Sequence, residues 1–135
     1  MRDLRRALAP LGPRARFWGY QTNVAAIYPR IDYLMTGLPE KEALGLNALE
    51  AQACGTPVLA PDGPPFDENV ATGKTGYLYP DPRKDGGAGF EDLLRRLVAL
   101  PRPIDPRDAP DCLREFSFER FVERVQSAVA ALPAA

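Results

Sequence analysis

Residues 42–60 read Glu42-Ala43-Leu44-Gly45-Leu46-Asn47-Ala48-Leu49-Glu50-Ala51-Gln52-Ala53-Cys54-Gly55-Thr56-Pro57-Val58-Leu59-Ala60. Leu46 to Ala53 is a run of helix formers. Gly45 ahead of it permits a tight turn, and Gly55 behind it is a natural C-terminal stop. Pro57 to Ala60 then resumes as an apolar, buried strand. The stretch therefore predicts turn, helix, strand, with Glu42 beside the helix start and Glu50 about one turn in. The first amides of such a helix, around Gly45, Leu46 and Asn47, have no partner within the helix and carry the positive end of its dipole. Together they form a ready site for a phosphate.

Upstream, Arg2 to Ala9 has apolar residues at helical spacing and reads as an amphipathic helix that turns Leu4 and Leu8 toward a core. Pro10, Gly12 and Pro13 break it, and Ala15-Arg16-Phe17-Trp18 reads as a short strand stopped by Gly19. Val24 to Tyr28 suits a short helix. Ile31 to Thr36 is a mostly apolar strand ending at Gly37, from which a loop to Leu44 delivers Glu42.

Downstream, Pro61-Asp62-Gly63-Pro64-Pro65 disfavours both helix and sheet. A short helix from Glu68 to Ala71, a turn marked by Gly73 and Gly76, and a strand from Tyr77 to Tyr79 follow. Phe90, Leu93, Leu94, Leu97 and Val98 predict a packed surface helix over Phe90 to Leu100. A proline-rich linker, 101–115, is densest from Pro101 to Pro110. It leads into a closing helix, 116–132, with Ser117 as its N-cap, before a frayed end at Pro133-Ala134-Ala135. Strands alternating with helices imply an α/β fold: a parallel sheet covered by helices on both faces, whose ligands sit outside the carboxyl ends of the strands.

Size and composition narrow the function. The chain has 135 residues, 45% of them hydrophobic and 26% charged, which fits one ordinary globular domain or a fragment of a larger enzyme. A net charge of −1, with acids and bases interleaved, excludes an electrostatic case for nucleic acid. Cys54 and Cys112 lie too far apart for a C-x-x-C site, no Asp-x-Asp pair is present, and there is no histidine, so neither a metal nor a disulfide framework is expected. No apolar run approaches the ~20 residues that cross a bilayer, and a reducing cytoplasm is the default expectation.

The pair Glu42-x7-Glu50, with Gly45, Glu50-Ala51, Cys54-Gly55-Thr56-Pro57-Val58 and Thr75-Gly76 in order, resembles the signature of retaining, family-four type (group 1) glycosyltransferases. The likeness lies in their C-terminal, donor-binding domain. It extends more loosely from Phe17-Trp18-Gly19 through Asp32 to Tyr77 and the Phe116-Ser117-Phe118 helix start. The resemblance implies a Rossmann-like sheet belonging to a truncated C-terminal domain of a two-domain enzyme, with the acceptor domain lying outside residues 1–135. It also implies a nucleotide diphosphate sugar as donor and transfer with retention, without metal or other cofactor. Glu42 would be the catalytic residue, accepting from hydroxyls of the transferred sugar. Amides at Gly45, Leu46 and Asn47 would hold the diphosphate, Glu50 would bind the ribose diol, and Phe17, Trp18 and Gly19 would border the nucleobase.

The acceptor implied is a glycan, lipid or small molecule in polysaccharide biosynthesis. The full-length protein would be cytoplasmic or peripheral at the inner face of a membrane. An uncovered sheet edge would invite self-association. The chain departs from the family pattern at Ala43-Leu44, where a small residue and an aromatic are common, and it lacks the upstream phosphate-clamping arginine and lysine.

Blander readings stand beside these. Glu42 and Glu50 could be solvated acids favoured by a helix N-terminus. Cys54 has no histidine to activate it and reads as packing. Gly73-Lys74-Thr75 fails as a triphosphate loop because Glu68 stands where that pattern needs glycine, which leaves Lys74 as a turn residue. Glu68 is either a donor contact or a helix-start acid. A nucleotide-sugar epimerase or phosphorylase, or a non-catalytic binding module on the same fold, are the alternative functions.

Overall fold

The computed structural model describes residues 2–37, 42–101 and 103–132. Most of the expected loop ahead of Glu42 and the expected frayed C-terminal end lie outside the described residues. Three parallel strands form the sheet in the order β1 (Leu34–Met35), β2 (Val58–Pro61), β3 (Gly76–Tyr79). Leu34 and Met35 register with Val58 and Leu59, and Val58 to Pro61 register with Gly76 to Tyr79. The central strand β2 is buried at every position, as a strand with neighbours on both sides and helices on both faces should be.

The side-chain alternation of β2 divides the core in two. Val58 and Ala60 face α2 (Leu46–Ala53) and α3 (Phe66–Asn69), packing with Ala48, Ala51, Phe66, Val70 and Tyr28. Leu59 faces the other way, with Tyr79 of β3 and with Leu93 and Leu97 of α5 (Ala88–Val98). The rings of Tyr79 and Phe90 meet at 4.7 Å between centroids. Ala48 and Ala51 have no exposed surface at all, and their small side chains let α2 lie close on the sheet.

The motif helix ends as its glycine predicts. Gly55 has φ +85°, its amide donates to Gln52 O, and the amide of Thr56 donates to Ala51 O, the paired closure of a helix that stops at a left-handed glycine. Gly76 serves a different need. A Cβ there would come within 2.2 Å of Val58 O, so β2 and β3 approach each other only because this residue has no side chain.

Several expectations are corrected. Ala15 to Trp18 is no strand: the segment is extended at Ala15, but no strand among the described residues offers its backbone a partner. Val24 to Tyr28 resolves into two 3₁₀ turns, Val24–Ala26 and Tyr28–Arg30. The Ile31 to Thr36 strand shrinks to Leu34–Met35, which among the described residues pairs on one side only. The short helix expected at Glu68 begins two residues earlier, because Phe66 is drawn completely into the core.

The first helix, α1 (Arg2–Leu8), does not face a core: Leu4 is 56% exposed and only Leu8 is half-buried. The Arg5 guanidinium lies 4.6 Å over the Phe17 ring. A short α4 (Pro82–Asp85) precedes α5. The proline-rich stretch carries a 3₁₀ turn at Pro106–Asp108 and then α6 (Pro110–Arg114). The closing helix is α7 (Phe118–Ala130), with Ser117 Oγ accepting from the Arg120 amide as its cap. The apolar stripe of α7, from Phe118 through Phe121 and Val125 to Val129, is exposed.

Candidate functional site

The loop between β1 and α2 leaves the carboxyl end of β1, and Glu42, Gly45 and the first turn of α2 gather at that edge of the sheet. Gly45 adopts φ +65° and ψ +37° and is buried; a Cβ there would meet Asn69 Nδ2 at 2.8 Å and Phe66 Cε1 at 3.2 Å. Both the conformation and the space demand glycine. Asn69, on α3, fastens the same turn by donating from Nδ2 to Leu44 O at 2.9 Å. Gln52 Nε2 in turn donates to Asn69 O and to Ala48 O, so a chain of buried amide bonds links α2, α3 and the turn. Gln52 Oε1 and Asn69 Oδ1 have no partner among the described residues.

Glu42 folds back onto this turn. Its Oε1 accepts from the Ala43 amide at 3.1 Å and the Gly45 amide at 3.0 Å. The Gly45 amide is thus engaged by Glu42, and the helix-start donors left for a ligand are those of Leu46 and Asn47, for which no acceptor exists among the described residues. Asn47 is held from its side chain, with Nδ2 donating to Thr36 Oγ1 at 3.2 Å. Thr36 sits at the end of β1, and its amide donates to Leu59 O, so the first turn of α2 is tied to the sheet edge.

Glu50 is exposed on α2, and Tyr28 Oη donates to its Oε2 at 3.3 Å. Tyr28 is only 7% exposed, and its carbonyl accepts a short bond from Thr56 Oγ1. Burial, reinforced by the neighbouring Glu50 charge, raises the Tyr28 pKa above the usual 10.0, so the hydroxyl keeps its proton and remains a donor at neutral pH.

Glu42, Gly45, Leu46, Asn47 and Glu50 therefore share one turn and one helix at one sheet edge. Phe17, Trp18 and Gly19 are not joined to them by any hydrogen bond among the described residues; Trp18 is 54% exposed and its carbonyl accepts from Gln21 Nε2. Glu68 lies in the first turn of α3. Lys74 occupies a turn ahead of β3, at the opposite end of the strands. A cavity of about 940 Å³ opens at that opposite end, lined by Asp32, Pro57, Lys74, Tyr77 and Asp111 among others. Neither glutamate nor the first turn of α2 lines it. Among the described residues no three His, Cys, Asp or Glu side chains converge as a metal set.

The sequence reading missed Tyr28, Thr36 and Asn69. Tyr28 carried a usable signal, since a tyrosine drawn into a core usually finds a partner for its hydroxyl. Asn69 carried none, because its role depends on α3 folding back over the turn.

The family model described as glycosyl transferases group 1 matches residues 1–99. N-acetyl-alpha-D-glucosaminyl L-malate synthase of Bacillus anthracis is 33% identical over 114 residues, covering 84% of this chain and 30% of the relative. D-inositol 3-phosphate glycosyltransferase of Gordonia bronchialis is 47% identical over 107 residues, covering 78% of this chain and 22% of that protein. In three dimensions the chain is similar to Anabaena Alr3699/HepE, solved in complex with UDP and glucose, with a TM-score of 0.77 at 18% identity over 97% of this chain and 36% of that one. Sucrose-phosphate synthase from Thermosynechococcus elongatus gives a TM-score of 0.72 at 23% identity, covering 97% of this chain and 35% of that one. The chain spans roughly a third or less of the length of each of these relatives.

Proposed function

Because the chain belongs to the group 1 glycosyltransferases, we propose that it forms the donor-holding part of an enzyme that moves a sugar from a nucleotide diphosphate to an acceptor. The observation that carries the proposal is the shared edge. A carboxylate locked against a glycine turn, two helix-start amides and a second carboxylate one turn further along α2 stand in the order in which sugar, diphosphate and ribose follow one another in such a donor.

Each group has chemistry suited to its part. The Leu46 and Asn47 amides point along the positive end of the helix dipole and would bind the diphosphate, stabilising the negative charge that grows on it as the glycosidic bond breaks. Glu42 is held by the turn through Oε1, which leaves Oε2 to accept from hydroxyls of the transferred sugar. Glu50, held through Oε2, would accept from the ribose diol through its other oxygen. Charge-assisted bonds of this kind are about twice as strong as neutral ones.

In the reaction proposed, the bond from the anomeric carbon to the diphosphate oxygen breaks and a bond to the acceptor oxygen forms on the same face. The acceptor proton passes to the departing diphosphate, so configuration is retained and no metal ion is required. UDP is the first candidate for the nucleotide, since a structural neighbour binds it. The acceptor would be held by a part of the protein beyond these 135 residues.

Calorimetric titration of the chain with uridine, guanosine and adenosine diphosphates, in EDTA and with Glu50→Ala as the comparison, tests this. Saturable binding to one nucleotide in EDTA is expected. Loss of one charge-assisted bond of about 1.5–3 kcal/mol should weaken it roughly 10-fold to 150-fold in Glu50→Ala. Equal affinity in both proteins would overturn the role given to Glu50, and absence of binding to all three nucleotides by the folded chain would overturn the donor site.

A further inference from the structure

We infer that Tyr28 is a positioning residue for Glu50: the hydroxyl of its core-anchored side chain holds one oxygen of that carboxylate so that the other faces a ribose diol. This deepens the donor-site reading and rests on it.

The geometry has three parts. Tyr28 Oη donates to Glu50 Oε2 at 3.3 Å, although Glu50 itself is exposed on α2 and would otherwise be free to sample several rotamers. The ring is buried between α2 and the sheet, in the core cluster that contains Ala48, Ala51 and Val58, so the hydroxyl cannot follow a wandering carboxylate. Its backbone is pinned as well, because Thr56 Oγ1 donates to the Tyr28 carbonyl from a site that is 1% exposed. Thr56 directly follows the glycine that closes α2, so the helix carrying Glu50 and the segment carrying Tyr28 are fixed to each other at both ends of the contact.

A carboxylate with both oxygens free would have to be ordered on binding. One already held by a neutral donor loses less freedom when the diol arrives. No cation pairs with Glu50 among the described residues, so the tyrosine hydroxyl is its fixed partner.

The test uses the 135-residue chain and the nucleoside diphosphate that binds it, alongside the 2′,3′-dideoxy form of the same nucleotide. Tyr28→Phe removes a single oxygen and should weaken ribonucleotide binding about 3-fold to 10-fold, the cost of having to order one freed side chain on binding. It should leave dideoxynucleotide binding unchanged, because no diol is then read. In a Glu50→Gln background the same change should have little further effect, and 4-aminophenylalanine at position 28, which keeps a donor at that atom, should restore the affinity.

Unchanged ribonucleotide affinity in folded Tyr28→Phe would overturn the inference. So would equal weakening for the ribose and dideoxy forms, which would mark a merely structural role. Wild-type chain that binds no nucleoside diphosphate would overturn the donor-site reading itself, a failure distinct from either of these.

Discussion

Replacing Gly45 by alanine measures how tightly the turn ahead of α2 is built. At φ +65° alanine would have to adopt a left-handed backbone, which costs about 1–2 kcal/mol. Its Cβ would also press 2.8 Å from Asn69 Nδ2 and 3.2 Å from Phe66 Cε1, and Phe66 is fully buried with nowhere to retreat. Overpacking of this kind adds about 1–3 kcal/mol. Gly73 supplies the control. It has φ +78°, and a Cβ there would meet nothing within 4 Å, so Gly73→Ala carries the backbone cost alone.

Urea unfolding followed by far-ultraviolet circular dichroism separates the two. With a slope of about 1–3 kcal/mol per M, the midpoint of Gly45→Ala should fall roughly 1 M below that of Gly73→Ala. Because Asn69 and the Leu44 carbonyl move with the turn, nucleotide binding should weaken in Gly45→Ala and not in Gly73→Ala. Equal midpoints for the two variants would refute the reasoning, since crowding against Phe66 and Asn69 would then contribute nothing.

Thr56→Val keeps the shape of the side chain but leaves the buried Tyr28 carbonyl without its donor, and should lower unfolding stability by about 1–3 kcal/mol in the same assay. Leu93→Ala should cost about 2–5 kcal/mol, whereas Val98→Ala on the same helix, at a side chain 85% exposed, should change stability by no more than about 0.5 kcal/mol. Tyr28, Tyr33 and Tyr79 are all raised above 10.0 by burial, so above about pH 10 the unfolded chain releases these protons before the folded one. Stability should therefore be flat through neutral pH and fall as pH rises past 10, and the fall should be shallower in Tyr28→Phe. A melting temperature that rises over that range would contradict it.

What could be read from sequence divides along the distance over which each feature is determined. The motif helix runs from Leu46 to Ala53 as expected because its limits are local: a left-handed glycine before it and a glycine closure after it. The periodic helix, expected over Phe90 to Leu100 and found at Ala88–Val98, and the Ser117 cap were legible for the same reason. Strands were harder. Ala15 to Trp18 has the composition of a strand, but pairing is a property of two segments, and no second one stands beside it among the described residues. The burial expected of α1 failed in the same way, since its spacing announces an apolar face and says nothing of what covers it.

At the site, Glu42, Gly45 and Glu50 were legible from their spacing and the turn between them. The engagement of the Gly45 amide by Glu42 was not, because it depends on the rotamer of a side chain three residues away. Tyr28 and Asn69 reach the site from 22 and 25 residues away in sequence, to Glu50 and to Leu44 respectively, distances at which only the folded chain can reveal a contact.

The closure of α2 has a consequence for how related chains should be judged. Gly55 ends the helix, Thr56 clamps Tyr28, Thr75 accepts the Ala71 amide and Gly76 lets two strands touch, so this half of the signature is bound up with folding. A related chain without the proposed donor chemistry would still lose stability without these residues and would keep them, while nothing in the core would stop Glu42 from drifting. A chain that matches at Gly55-Thr56-Pro57 and Thr75-Gly76 but carries no acid at the positions of Glu42 and Glu50 should be regarded as a scaffold that has outlived its chemistry.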